Sequence, residues 1–289
     1  MAAPTPVRAL VHSSTLVTAG IYILLRLNFI IEIAGLSYLV FLLGLRTIII
    51  ARLRANLEQD IKKIIALSTL RQLGLIITSL GLGLILITFF HLLTHAIFKS
   101  LLFICRGDVI HQNQGLQDLR FLGGSLKGRL FARTLINICN LALCGFPFLA
   151  GFYSKDAIIE IGYSSSYSLI FLYLIAFRVG LSGSYSMRLY YFRFLNESQS
   201  RPLGGIYESV DYIFKSKFLL FGFTLTGGLV LSYCLFETPL IVFLKFNEKI
   251  ITLIRTFLGF IFGLILRFYI RSIFIIDICR DFQDFLRGL

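Results

Sequence analysis

The run IIALSTLRQLGLIITSLGLGLILITFFHLLTHAIFKSLLFIC, residues 64–105, decides the fold. About 20 apolar residues cross the roughly 30 Å of hydrocarbon in a bilayer, and this run is about twice that long. It must turn back on itself. Gly81–Gly83 is the natural place, because glycine frees the backbone and weakens a helix. Outward from this pair, further apolar runs cover about residues 7–25 and 30–50 on one side. On the other side they cover about 130–143, 169–194, 218–236 and 240–269. Polar stretches separate them at Arg52–Lys63, Arg106–Lys127 and Asn196–Ser216, and the tail from Arg271 alternates apolar groups with Arg and Asp, as an amphipathic interfacial segment does. The expected fold is all-α: a polytopic transmembrane helix bundle of about eight spans.

Composition agrees. Of 289 residues, 57% are hydrophobic and 15% charged, with a mean hydropathy of +0.83. A disordered chain is excluded, since disorder needs low hydrophobicity and high charge. A soluble globule is excluded because so little polar surface cannot cover so much apolar side chain. The net charge of +13 would suggest nucleic acid in a soluble domain, but no clustered basic stripe exists, so no nucleic-acid partner is expected. The cations fit loops flanking membrane helices, on both sides of the membrane. Cysteines 105, 139, 144, 234 and 279 form no CxxC and sit mostly in apolar runs, which speaks against a disulfide framework, a zinc site or an iron–sulfur cluster. GxGxxG, Walker A, HExxH and GxSxG motifs are all missing, so no nucleotide or flavin site is expected in this chain.

The informative residues are the polar ones at membrane depth, where a charge costs about 2.5–3.5 kcal/mol on insertion scales. His91, His95 and Lys99 recur at i, i+4 and i+8, on one helix face and about 6 Å apart per step. Histidine exchanges protons near neutral pH, and a partly desolvated lysine can join it, so the three fit a proton relay. Two other readings compete: hydrogen-bonded core histidines beside a snorkelling lysine, and a His pair on zinc that lacks a third ligand. Lys155 and Asp156 follow CGFPFLAGFY, where Pro147 between Gly145 and Gly151 should break a helix and admit water. They read as a terminal proton carrier with its tuning acid, or as a loop ion pair. His12, in the polar HSST run, could join relay segments or simply hold structure. Lys62 reads as a relay lysine or as a snorkelling flank.

Four runs then bring a family into view: MAAPTPVRALVHSSTLVTAG (1–20), DIKKIIALST (60–69), FHLLTHAIFKSLLF (90–103) and GFPFLAGFYSKDAIIE (145–160). In content, order and spacing they resemble the antiporter-like subunit 5 of mitochondrial NADH:ubiquinone oxidoreductase, respiratory complex I. The resemblance covers about residues 1–270, an antiporter-like transmembrane domain with broken helices, and leaves 271–289 as a poorly matched tail. It implies a proton-translocating, multi-pass subunit of the mitochondrial inner membrane, with other membrane-arm subunits, the lipid bilayer and protons as partners. The implied relay is His12, Lys62, His91, His95, Lys99, Lys155 and Asp156. NADH, flavin, iron–sulfur clusters and ubiquinone are implied to bind other subunits, so this chain holds no cofactor and does no redox chemistry.

Three departures stand against the pattern. The family's earlier helices, with the Glu/Lys pair that starts its relay, precede the part matched here, and its long lateral helix is not matched; an internal fragment is expected. Arg8, Arg71 and Arg106 stand where the family usually carries Ser, with Arg133 and Arg178 as further candidates. Trp is absent, and only 2 Met occur. Invertebrate mitochondria read AGA as Ser, UGA as Trp and AUA as Met, so a standard-code translation of such a gene, or of a nuclear copy, accounts for these features together. Two alternatives remain: a subunit of a multisubunit cation/proton antiporter, and a structural remnant without transport.

Overall fold

In the computed structural model the long apolar run turns where its glycines are. The structure describes residues 16–112, 115, 117–118, 130–146, 148–164, 186, 190, 212–237, 254, 258, 261 and 265. His12, Arg8, Arg178, most of the expected 169–194 span and the tail from Arg271 lie outside these. Among the described residues there are eight helices. They are α1 (Leu16–Arg26), α2 (Asn28–Ile33), α3 (Ser37–Leu57), α4 (Ile61–Gly81), α5 (Ile85–Gln112), α6 (Leu130–Cys144), α7 (Ala150–Ser164) and α8 (Tyr212–Leu235). Three are long and apolar enough to cross a membrane: α4, α5 and α8.

The turn between α4 and α5 is a Schellman ending. Gly83 has φ +75°, its N–H donates to Leu80 O, and the Leu84 N–H donates to Ser79 O. Thr88 then donates to Ser79 Oγ at 2.8 Å and pins the two helices just past the turn. Before them, α3 and α4 run antiparallel at close range. A Cβ on Gly44 would meet Thr78 at 2.7 Å, and one on Gly74 would meet Ile48 Cγ1 at 2.6 Å. Small residues let backbones approach this way in lipid, where no hydrophobic force drives helices together. α5 is the hub, packing against α1, α4, α6, α7 and α8.

The bundle is apolar outside, and its largely apolar core also takes in polar side chains. Phe29, Ile33, Leu42, Leu43, Phe218 and Val230 face outward, while Ser79, Thr88, Thr94 and Ser154 are buried. The buried hydroxyls are satisfied locally: Ser68 donates to Ile65 O, Thr78 to Leu75 O and Ser79 to Ile76 O. Water would reverse this arrangement, and lipid permits it; the chain is a membrane protein.

Three boundaries differ from the sequence expectation. The expected 30–50 helix breaks at Gly35 (φ +64°), and α3 then continues through Leu57 into the expected polar connection. It does so because Phe41, Leu45, Ile48, Ala51 and Ala55 keep one buried stripe, while Arg46 and Arg54 face out. Likewise α5 runs past Cys105 to Gln112, carried by the buried Leu101, Cys105 and Val109, so Arg106 is helical and not in a loop. α8 starts at Tyr212, inside the expected linker.

Candidate functional site

The helix period places His91, His95 and Lys99 along one side of α5, with about 12 Å between the first and the last. All three are buried; Lys99 is 0% exposed. The two imidazoles lie 6.3 Å apart between centroids and 31° from parallel. His95 also meets the edge of Phe98 at 5.5 Å. Neither ring nitrogen of His95 has a hydrogen-bond partner among the described residues. At the far end of the row, Lys99 Nζ donates to Ser68 Oγ on α4 at 2.5 Å.

The other end of the row reaches α7. His91 Nδ1 and Ser154 Oγ are 2.9 Å apart, and Thr94 Oγ1 is 3.0 Å from the same hydroxyl. Next in sequence is Lys155, which points back at the end of α6. Its Nζ donates to Cys144 O at 2.6 Å and Leu143 O at 3.4 Å. The reason is local. Gly145, at φ +83°, ends α6 as a second Schellman motif: its own N–H takes Ala142 O, and the Phe146 N–H takes Leu141 O. That leaves the carbonyls of Leu143 and Cys144 without helical donors, at the negative end of the helix dipole, and the ammonium of Lys155 takes both. Gly151 allows the approach of α7 to α6, since a Cβ there would run into Ala142 O. Asp156 is half-buried beside Lys155, with its carboxylate near Gly145.

The break expected after Cys144 is therefore present, but Lys155 and Asp156 stand in the first turns of a helix and not in a loop. Lys62 occupies the first turn of α4, half-buried, beside the exposed Lys63 that pairs with Asp60 at 3.0 Å. It lies six residues before Ser68 on the same helix. Arg71 and Arg106 are buried, at 2% and 1% exposure, and Arg133 is half-buried.

Sequence reasoning missed Ser68, Thr94 and Ser154, which bridge the helices. Ser154 could have been noticed as the residue beside Lys155; Ser68 gave no signal beyond being polar in an apolar run. It also missed a partly buried ion pair, Lys217 Nζ to Asp108 Oδ2 at 2.7 Å, joining α8 to α5. Its partners are 109 residues apart, and no local pattern announces it.

Chemically, every side chain in this row can give or take a proton. What it offers is a buried series of proton donors and acceptors on three helices.

Known proteins resemble this chain in sequence and in fold. Residues 1–182 match the model of the NADH:quinone oxidoreductase/Mrp antiporter transmembrane family, and residues 185–286 match that of the NADH dehydrogenase subunit 5 C-terminus. NADH-ubiquinone oxidoreductase chain 5 of Locusta migratoria is 42% identical over 278 residues, covering 94% of this chain and 48% of that protein. The Aedes aegypti protein of the same name is 45% identical over 259 residues, covering 90% and 45%. Among solved structures, the Mrp complex from Dietzia sp. DQ12-45-1b aligns with a TM-score of 0.76 at 23% identity, covering 97% of this chain and 34% of that one; this shows a shared fold. The chain spans about half the length of the relatives it matches. On these matches, together with a buried His/Lys row inside a lipid-facing bundle, the chain belongs to the NADH:quinone oxidoreductase/Mrp antiporter transmembrane family.

Proposed function

We propose that this chain carries protons across the mitochondrial inner membrane as part of the membrane arm of NADH:ubiquinone oxidoreductase, driven by quinone reduction in other subunits. The observation that carries the reading is the buried row itself. Ser154, bonded to His91, is next in the chain to Lys155, whose ammonium lies on the Leu143 and Cys144 carbonyls, and along α5 His95 stands between His91 and Lys99, which bonds Ser68. A low-dielectric interior would not hold so many basic groups without a use for them, because each adds its own burial penalty. A proton moves along such a row by successive donation and uptake, with the hydroxyls of Ser154 and Ser68 as short bridges. His12, Lys62 and Asp156 extend the proposal: His12 and Lys62 as further relay groups, Asp156 as the acid that tunes Lys155. The partners would be other membrane-arm subunits, and NADH, flavin, iron–sulfur clusters and ubiquinone would bind there and not here.

The test is proton flux through the full chain in liposomes under an imposed potential, followed by a trapped pH dye. Lys99→Ala and Lys155→Ala should each lower flux by about tenfold or more, about 1.4 kcal/mol in barrier. Flux equal to the parent in both would refute the reading. A flux that follows sodium would favour a cation/proton antiporter instead.

Burial of Arg71 and Arg106 beside the row supports a second reading, that the chain is a standard-code translation of an invertebrate mitochondrial gene. A guanidinium is costly at that depth, and serine would carry no charge there.

A further inference from the structure

The ammonium of Lys155 rests on the carbonyl oxygens of Cys144, at 2.6 Å, and Leu143, at 3.4 Å. A carbonyl oxygen accepts a hydrogen bond but has no proton of its own to pass on. A proton that reaches Lys155 therefore needs another group to leave by, one that both gives and takes. Cys144 carries such a group beside its carbonyl. Its Sγ lies 3.1 Å from Ser186 Oγ, and either atom can be the donor. Cys144 and Ser186 are buried, at 5% exposure each. Ser186 is a helical residue beyond α7, 42 positions from Cys144. The contact thus ties a later segment of the chain to the residue that cradles Lys155.

We propose that the Cys144 thiol and the Ser186 hydroxyl form the outlet of the row, taking protons onward from Lys155. The inference rests on the proton-carrying reading above. The flexible lysine stem brings its amine from the carbonyl of Cys144 to the thiol of the same residue. There the ammonium gives up a proton to sulfur, the thiol's own proton passes to the Ser186 oxygen, and the hydroxyl's proton goes on to water. Thiol and hydroxyl end as they began, and Lys155 is left neutral until the row refills it. The competing acceptor is Asp156, whose Oδ1 stands 3.7 Å from where a Cβ on Gly145 would be, with Lys155 Nζ at 3.5 Å from the same point.

Cys144→Ala deletes the thiol and keeps the carbonyl that holds the lysine, so it separates the outlet from the cradle. In the full chain, Cys144→Ala and Ser186→Ala should each lower liposome proton flux about tenfold or more, as loss of a positioned proton carrier does. Helix content and detergent unfolding by circular dichroism should stay close to the parent. Cys144→Ser and Ser186→Thr, which keep a group that gives and takes, should retain most of the flux. The double alanine variant should fall no further than the worse single one, because the two groups act in series. Parent-level flux in Cys144→Ala, beside flux that Lys155→Ala abolishes, would overturn the outlet, point to Asp156 and leave the transport reading standing. Parent-level flux in Lys155→Ala would sink the transport reading and the outlet with it. A loss in Ser186→Ala that follows helix content, or that Ser186→Thr shares, would make the pair a packing contact and overturn the proposal.

Discussion

Replacing Ser154 with alanine removes one oxygen atom from the point where α5 and α7 meet. That oxygen is 2.9 Å from His91 Nδ1 and 3.0 Å from Thr94 Oγ1. Thr94 keeps a second partner, donating to His91 O at 3.1 Å, whereas His91 Nδ1 loses this bond. Removing one partner of a buried polar group costs about 1–3 kcal/mol, so stability should fall by that amount. The chain has no tryptophan, so helix content by circular dichroism during detergent unfolding is the suitable readout. Flux should fall further than stability suggests, because a positioned proton carrier contributes about 10²–10⁴-fold to a transfer step. A loss of about tenfold or more in liposomes is expected for Ser154→Ala, and Ser154→Thr, which keeps the hydroxyl, should retain most of the flux. If Ser154→Ala loses stability and yet conducts like its parent, the hydroxyl only packs α7 against α5, and the route from His91 to Lys155 is wrong.

Other outcomes follow from the same geometry. Lys155→Met strips the Leu143 and Cys144 carbonyls of a donor but also removes a buried charge; charged hydrogen bonds worth about 1.5–3 kcal/mol are offset, so detergent unfolding should move little while flux drops. Gly74→Leu forces a side chain between α3 and α4, where the nearest atoms already stand at 2.5 and 2.6 Å from an added Cβ, and should open that hairpin to protease. Lys217→Met leaves the partly buried Asp108 without its cation and should cost about 1–3 kcal/mol, most of it recovered in the Lys217→Met/Asp108→Asn pair, as an unfolding double-mutant cycle would show. The gene should carry AGA at codons 71 and 106, and peptide mass spectrometry of the natural chain should read serine there; ordinary arginine codons end the translation argument.

Much of the bundle was legible because lipid leaves few choices. The double-length apolar run had to fold back, and Gly83 takes the left-handed turn that only a residue without a Cβ adopts cheaply. Helix ends were harder. Arg52, Arg54, Arg106 and Asp108 look like loop residues when charge is taken as a mark of exposure, yet each lies on a helix whose apolar stripe continues past it. Arg52 and Arg106 turn inward while Arg54 faces out, so a charged residue at the end of an apolar run extends the helix as readily as it ends it. The ammonium of Lys155 was expected near a break, but its partners, two helix-end carbonyls, exist only after Gly145 has closed α6.

The spacing of the row also explains which neighbours it touches. Residues four apart on an α-helix advance by about 400°, so each step drifts by about 40° around the axis. From His91 to Lys99 the row turns by about 80°. That rotation is what takes it from one neighbouring helix to another: His91 meets Ser154 on α7, and Lys99 meets Ser68 on α4. A spacing of seven would have kept the row on one seam, facing a single partner, with no path between α7 and α4. The i, i+4, i+8 pattern is thus a route as well as a face. His95 stands at the midpoint of the rotation, and its ring nitrogens are bonded to no described residue. Shifting it to residue 94 or 96 would swing the imidazole by about 100° away from the path, and should break conduction even though the composition of α5 stays the same.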